Sequence, residues 1–156
     1  MTTMHFPQAG FLDLLERLDG SVRLDASVPL SPFFARMPLT SDETGLRTHM
    51  ADTLIALLKA RRATSQAAFD TELAADELRR YQKYVKPGKP SAHIVQLRQK
   101  QAAARQASSL SRQSLIKAAA AFVREAGIDV PERVALDAFI VGWIDANVPR
   151  DAAPAT

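Results

Sequence analysis

No cysteine occurs in the 156 residues, which excludes disulfides, thiolate nucleophiles and thiolate-bound metals. Aromatic residues are scarce at 6%, with one Trp, two Tyr and seven Phe. Sheets draw on β-branched and aromatic side chains, whereas the heavy use of Ala here favours closely packed helices. No apolar run approaches the roughly 18–20 residues that span a bilayer. The longest, 134–148, is interrupted by Asp137, Asp145 and Asn147. Met1 to Gln8 carry neither the basic nor the apolar region of a secretory signal, so a cytoplasmic protein is expected.

Motifs for catalysis are missing too. There is no GxSxG, no GxxxxGK[ST], no GxGxxG and no HExxH, so nucleophilic, nucleotide and metal chemistry find no foothold. The three histidines, His5, His49 and His93, are far apart and fit no ligand spacing. Asp137 and Asp145 lie eight residues apart on one expected helix and suit its solvent face, or ion pairs with a neighbouring helix, better than acid–base work. The expectation is a non-catalytic protein without cofactor or metal.

The most informative gap is in acidic residues. Between Glu77 and Glu125 there are none, while Arg79, Arg80, Lys83, Lys86, Lys89 and Arg98 occur in that stretch. Lys100, Arg105, Arg112, Lys117 and Arg124 follow them there. Eleven cations in 47 residues stand out against a net charge of only +3. Lys and Arg bind a phosphate backbone by displacing condensed counterions, and removing carboxylates removes direct repulsion. Arg98, Arg105 and Arg112 recur every seventh residue, a slowly drifting helical stripe with steps of about 10 Å. Gln99, Gln101, Gln106 and Gln113 add neutral donors.

Hydrophobic spacing predicts an all-α, single-domain bundle of four to five helices over residues 1–150. One or two long antiparallel helices and an extended N-terminal arm complete it. A short helix over 8–19 carries Phe11, Leu12, Leu14, Leu15 and Leu18 and ends at Gly20. Residues 20–39 alternate and then meet Pro29, Pro32 and Pro38, so they read as an arm lying over the bundle. Thr40 and Glu43 form a capping box opening a helical stretch over 40–85, with either a break or a polar patch near 63–66. Leu46, Met50, Leu54, Leu57 and Leu58 give its first face, and Phe69, Leu73, Leu78, Tyr81 and Val85 its second. Lys86-Pro87-Gly88-Lys89-Pro90 is a turn.

Ser91 caps a long basic helix over 91–126, closed by Gly127. Its three-four repeat is Ile94, Leu97, Ala104, Leu115, Ala118 and Phe122, with Gln101, Ser108 and Ser111 at weak seam positions that suggest loose packing or a kink near 108–111. Pro131 opens a last helix over 131–147, apolar on several faces and therefore expected to be the most buried. Residues 150–156 read as a frayed tail.

The leading functional expectation is non-specific binding of DNA or RNA backbone. It runs through Arg79, Arg80, Lys83, Lys86, Lys89, Arg98, Lys100, Arg105, Arg112 and Lys117, with the chain as a small subunit of a nucleoprotein assembly. Tyr81 and Tyr84 are candidates for base stacking or for closing a helix end. The alternative is an adaptor, chaperone or assembly subunit for an acidic protein, using Phe33, Phe34 and Met37 on the arm. Covering the end of the bundle is the favoured role of those three residues. Self-assembly through the long helices is a third class. A membrane partner is not expected, because the basic stretch lacks an aromatic-rich face.

Overall fold

The computed structural model describes residues 4–19, 30–41, 43–83 and 91–151. Five helices account for the ordered elements among them: α1 (Ala9–Arg17), α2 (Phe33–Arg36), α3 (His49–Gln82), α4 (Ala92–Ala126) and α5 (Leu136–Asn147). The expected all-α bundle with two long antiparallel helices is present. The described residues contain isolated antiparallel bridges (Asp19 with Leu46, Thr40 with Arg47) and no longer strand.

α3 and α4 pair along almost their whole length. Ile94, Leu97, Leu115 and Phe122 of α4 are buried, and Gln101, Ala104, Ser108, Ser111 and Ala118 are half-buried between them. This is the three-four repeat legible in the sequence. The weak positions do not break the helix. α4 is continuous through 108–111, with Ser111 donating its hydroxyl to the Ser108 carbonyl. α3 is likewise continuous through 63–66.

On α3 the distal seam is Thr64, Ala67, Thr71, Ala74 and Leu78, not the large residues that the periodicity nominated. Of those, only Leu78 is buried; Phe69 is half-buried, Leu73 and Tyr81 are exposed, and Val85 lies outside the described residues. Small side chains let the backbones approach, and the Thr71 hydroxyl lies 3.3 Å from the Ala104 carbonyl across the seam. Its main acceptor is the Ala67 carbonyl at 2.8 Å, within its own helix.

Large apolar side chains gather instead at one end, the head. Six of the first ten residues of α3 are buried there, Met50, Ala51, Leu54, Ile55, Leu57 and Leu58. They join Phe11, Leu12 and Leu15 of α1, Phe122 of α4 and Ile140 and Ile144 of α5 in one core. A separate small cluster, Leu78, Ile94 and Leu97, closes the far tip of the hairpin. Between the two clusters the hairpin is held by alanine, serine and threonine.

Helix ends account for several differences from expectation. α3 begins at His49, not at 40: Thr48 is its N-cap, accepting from the Ala51 N–H. The Thr40–Glu43 capping box does not form, because residues 40–47 fold back as a bridged turn through Gly45, whose φ of 71° needs glycine. α4 ends as expected. Gly127 adopts φ 66° and the Ile128 N–H bonds the Val123 carbonyl, a Schellman arrangement.

α5 starts at Leu136 rather than Pro131, and it is not the most buried helix. Only Ile140 and Ile144 are buried within it, because it packs on the outside of α4. α1 is capped by distant residues: Arg47 bonds the Leu15 and Glu16 carbonyls, and Asp151 accepts from the Gly10 N–H at 2.9 Å. Asp151 is therefore fixed to the fold, contrary to the frayed tail expected from 150 onward; residues 152–156 lie outside the described set.

The Gly127 cap supplies a direct check. No atom would obstruct a Cβ there, yet the backbone is left-handed. Gly127→Ala is expected to lower unfolding stability by about 1 kcal/mol in a urea titration, with unchanged helical content.

Candidate nucleic-acid interface

The antiparallel hairpin divides the basic stretch between two flanks. Lys100, Ala104, Ala107 and Ser111 of α4 border a groove whose other bank is the Ala63–Glu77 part of α3. Arg98, Arg105 and Arg112, two residues behind or five ahead in each heptad, fall on the opposite flank by helical geometry. The α3 positions of that opposite flank are Arg61, Ala68, Ala75 and Gln82, which include no acid.

Folding also returns carboxylates to a segment that has none in sequence. Glu77 of α3 pairs with Lys100 at 3.3 Å, and Asp137 of α5 pairs with Arg112 at 2.8 Å. Arg79 is bound to Asp76 one helical turn away. Arg80, Lys83, Arg98, Arg105 and Lys117 are exposed and have no ion pair among the described residues. Lys86, Lys89 and Tyr84 lie outside the described residues.

Arg98 and Arg105 thus form the unneutralised part of the arginine stripe. Arg80 and Lys83 lie near the tip, and Lys117 sits toward the head on the outer face of α4. Tyr81 is exposed and meets His93 edge-on at a ring separation of 4.3 Å. It covers the tip of the hairpin.

The arm residues occupy a different place. Phe34 is buried, 6.3 Å from Phe11 and 5.3 Å from Phe33. Phe33 stands edge-on to Trp143 at 5.1 Å, and Trp143 meets Phe122 at 4.9 Å. Half of the chain's ten aromatic residues meet in this one cluster, so the arm closes the head in the way its alternative reading anticipated. Met37 and Phe33 also line an open cavity of about 680 Å3 with Trp143 and Arg36. Phe34 is not available to a partner. Phe34→Ala is expected to destabilise the fold by about 3–5 kcal/mol in chemical denaturation, a core effect rather than a binding effect.

His5 pairs with Asp151 and His49 with Glu125, at separate places. No cluster of three potential metal ligands forms among the described residues. No helix there is long and apolar enough to cross a membrane.

Asp137, whose side chain is 20% exposed, is held below the ordinary carboxylate pKa. The hydrogen bond from Arg112 is the main cause; desolvation opposes it, and the Ala138 N–H in the first turn of α5 assists. A carboxylate with a lowered folded pKa stabilises above its unfolded value and loses that contribution as pH falls through the folded one. Wild type and Asp137→Asn are therefore expected to differ at pH 7 by up to about 1 kcal/mol, and the gap should close as pH falls from about 4 through the lowered folded pKa, measured as thermal stability against pH. No family model, no curated protein sequence and no solved structure matches this chain.

Proposed function

We propose that the chain binds nucleic-acid backbone, without sequence readout, along the arginine flank of the α3–α4 hairpin. One observation carries the reading. Arg98 and Arg105 stand about 10 Å apart on an exposed helix flank, ion-paired to no described carboxylate, beside α3 positions occupied by Ala68 and Ala75. Phosphates along a nucleic-acid strand offer a matching line of charge. The exposed cations Arg80 and Lys83 near the tip add positive charge beyond the stripe. Arg112 contributes less, because Asp137 already holds it.

A second reading rests on Val95 and Ile116, exposed apolar residues at either end of the stripe. Phosphate has no use for them, whereas an acidic amphipathic helix of another protein would cover them. On that reading the chain is an adaptor or assembly subunit.

Binding to random-sequence duplex DNA and to RNA across a salt series separates the two. With about five phosphates engaged, log K on duplex DNA should fall against log salt with a slope of about −4 to −5. The Arg98→Gln/Arg105→Gln double variant should reduce that slope by about 2, and Arg112→Gln by less than 1. Absence of binding at low salt, or a slope indifferent to the double variant, would reject the nucleic-acid reading in favour of the acidic protein.

A further inference from the structure

The Arg112–Asp137 pair differs from the other ion pairs of the described residues in how its acid is held. Asp137 Oδ2 accepts from Arg112 Nε at 2.8 Å, and the acid side chain is only 20% exposed. The acids of the other pairs are all more open to solvent. The Ala138 N–H in the first turn of α5 bonds the same carboxylate. Arg112, by contrast, is 66% exposed, so solvent and solutes reach the cation far more readily than the acid.

Packing remote from the arginine stripe sets where this acid stands. Asp137, Ile140 and Ile144 recur along one side of α5 at helical spacing, and both isoleucines are fully buried in the head. Trp143 meets Phe122 of α4 at 4.9 Å and Phe33 of α2 at 5.1 Å. Moving α5 away from α4 would expose that cluster. The first turn of α5 therefore keeps a carboxylate beside the third arginine of the stripe.

Resting on the nucleic-acid reading above, we infer that Asp137 is an internal competitor for phosphate, which occupies Arg112 and shortens the working stripe from three arginines to two. Arg98 to Arg112 span about 21 Å of α4, whereas Arg98 and Arg105 alone span about 10 Å. A backbone phosphate reaching Arg112 must either replace the carboxylate or share the guanidinium with it. Replacement leaves a mostly covered carboxylate without its cation. Sharing brings two like charges onto one cation. Both routes cost free energy, so α5 limits how tightly the flank grips a strand. The Lys100–Glu77 pair has no such effect, because Glu77 borders the groove on the other flank.

The test is binding of random-sequence duplex DNA across a salt series by wild type, Asp137→Asn, Arg112→Gln and the double variant. Freeing Arg112 adds about one phosphate contact, so Asp137→Asn should steepen the slope of log K against log salt by about 0.9. Binding at low salt should tighten by up to about fivefold, the range of an exposed ion pair. In the Arg112→Gln background the same substitution should leave the slope unchanged. Asp145→Asn controls for net charge: it removes an equal charge from the same helix, but its acid pairs with Arg150. Its slope should stay at the wild-type value. A wild type that binds through Arg98 and Arg105, with Asp137→Asn showing no steeper slope, overturns the competitor and leaves the nucleic-acid reading standing. An equal gain from Asp145→Asn, or a gain that survives Arg112→Gln, does the same. A wild type that does not bind even at low salt rejects both.

Discussion

The packing of α3 against α4 sets nearly everything else. One seam repeating every seven residues holds two helices of 34 and 35 residues together, and each helix has only one such face. Once that face is fixed, every other position is assigned to one flank or the other. Arg98 and Arg105 go to the side beside Ala68 and Ala75, and Lys100 goes to the side of Glu77. Shifting the seam by one position on α4 would rotate the arginines by about 100° and dissolve this separation.

Along that seam the chain spends its large apolar residues unevenly. Aromatic and aliphatic bulk is concentrated in the head, where Phe11, Phe33, Phe34, Phe122 and Trp143 join α1, α2, α4 and α5. The middle of the hairpin has Ala67, Thr71, Ala74, Ala104, Ser108 and Ser111. A methyl group buries far less surface than a leucine side chain, so this stretch gains little per residue from its own packing. Close backbone approach and continuity with the two anchored ends keep it helical. The same economy leaves a groove whose floor is made of small residues such as Ala67, Ala74 and Ala104.

Electrostatics follow the same geometry. The acid-free stretch of sequence is not an acid-free region of space, because α3 runs back alongside α4 and α5 folds over its head end. Glu77 and Asp137 each neutralise a cation that sequence alone assigned to the interface. The stretch left without an ion pair among the described residues is narrower: two arginines on one flank, with Arg80 and Lys83 near the tip.

By itself the sequence determined the fold class, both ends of α4, the seven-residue repeat of its inner face and the stripe made by Arg98, Arg105 and Arg112. These are local properties: a serine cap, a glycine able to adopt positive φ, and a periodicity that needs no partner to be read. It did not determine the start of α3, where Thr40–Glu43 is the more complete capping signal but Thr48 is the cap. The backbone there is committed to a bridge between Thr40 and Arg47 and to another between Leu46 and Asp19. Nor did it reveal that Ala67, Thr71 and Ala74 form the α3 seam in preference to Phe69, Leu73 and Tyr81. Periodicity weights large side chains, whereas two long helices in close contact select small ones. Which cations are neutralised, and whether Phe33 and Phe34 face a partner or their own core, depended on residues far away in sequence. Only the tertiary structure brings those residues together.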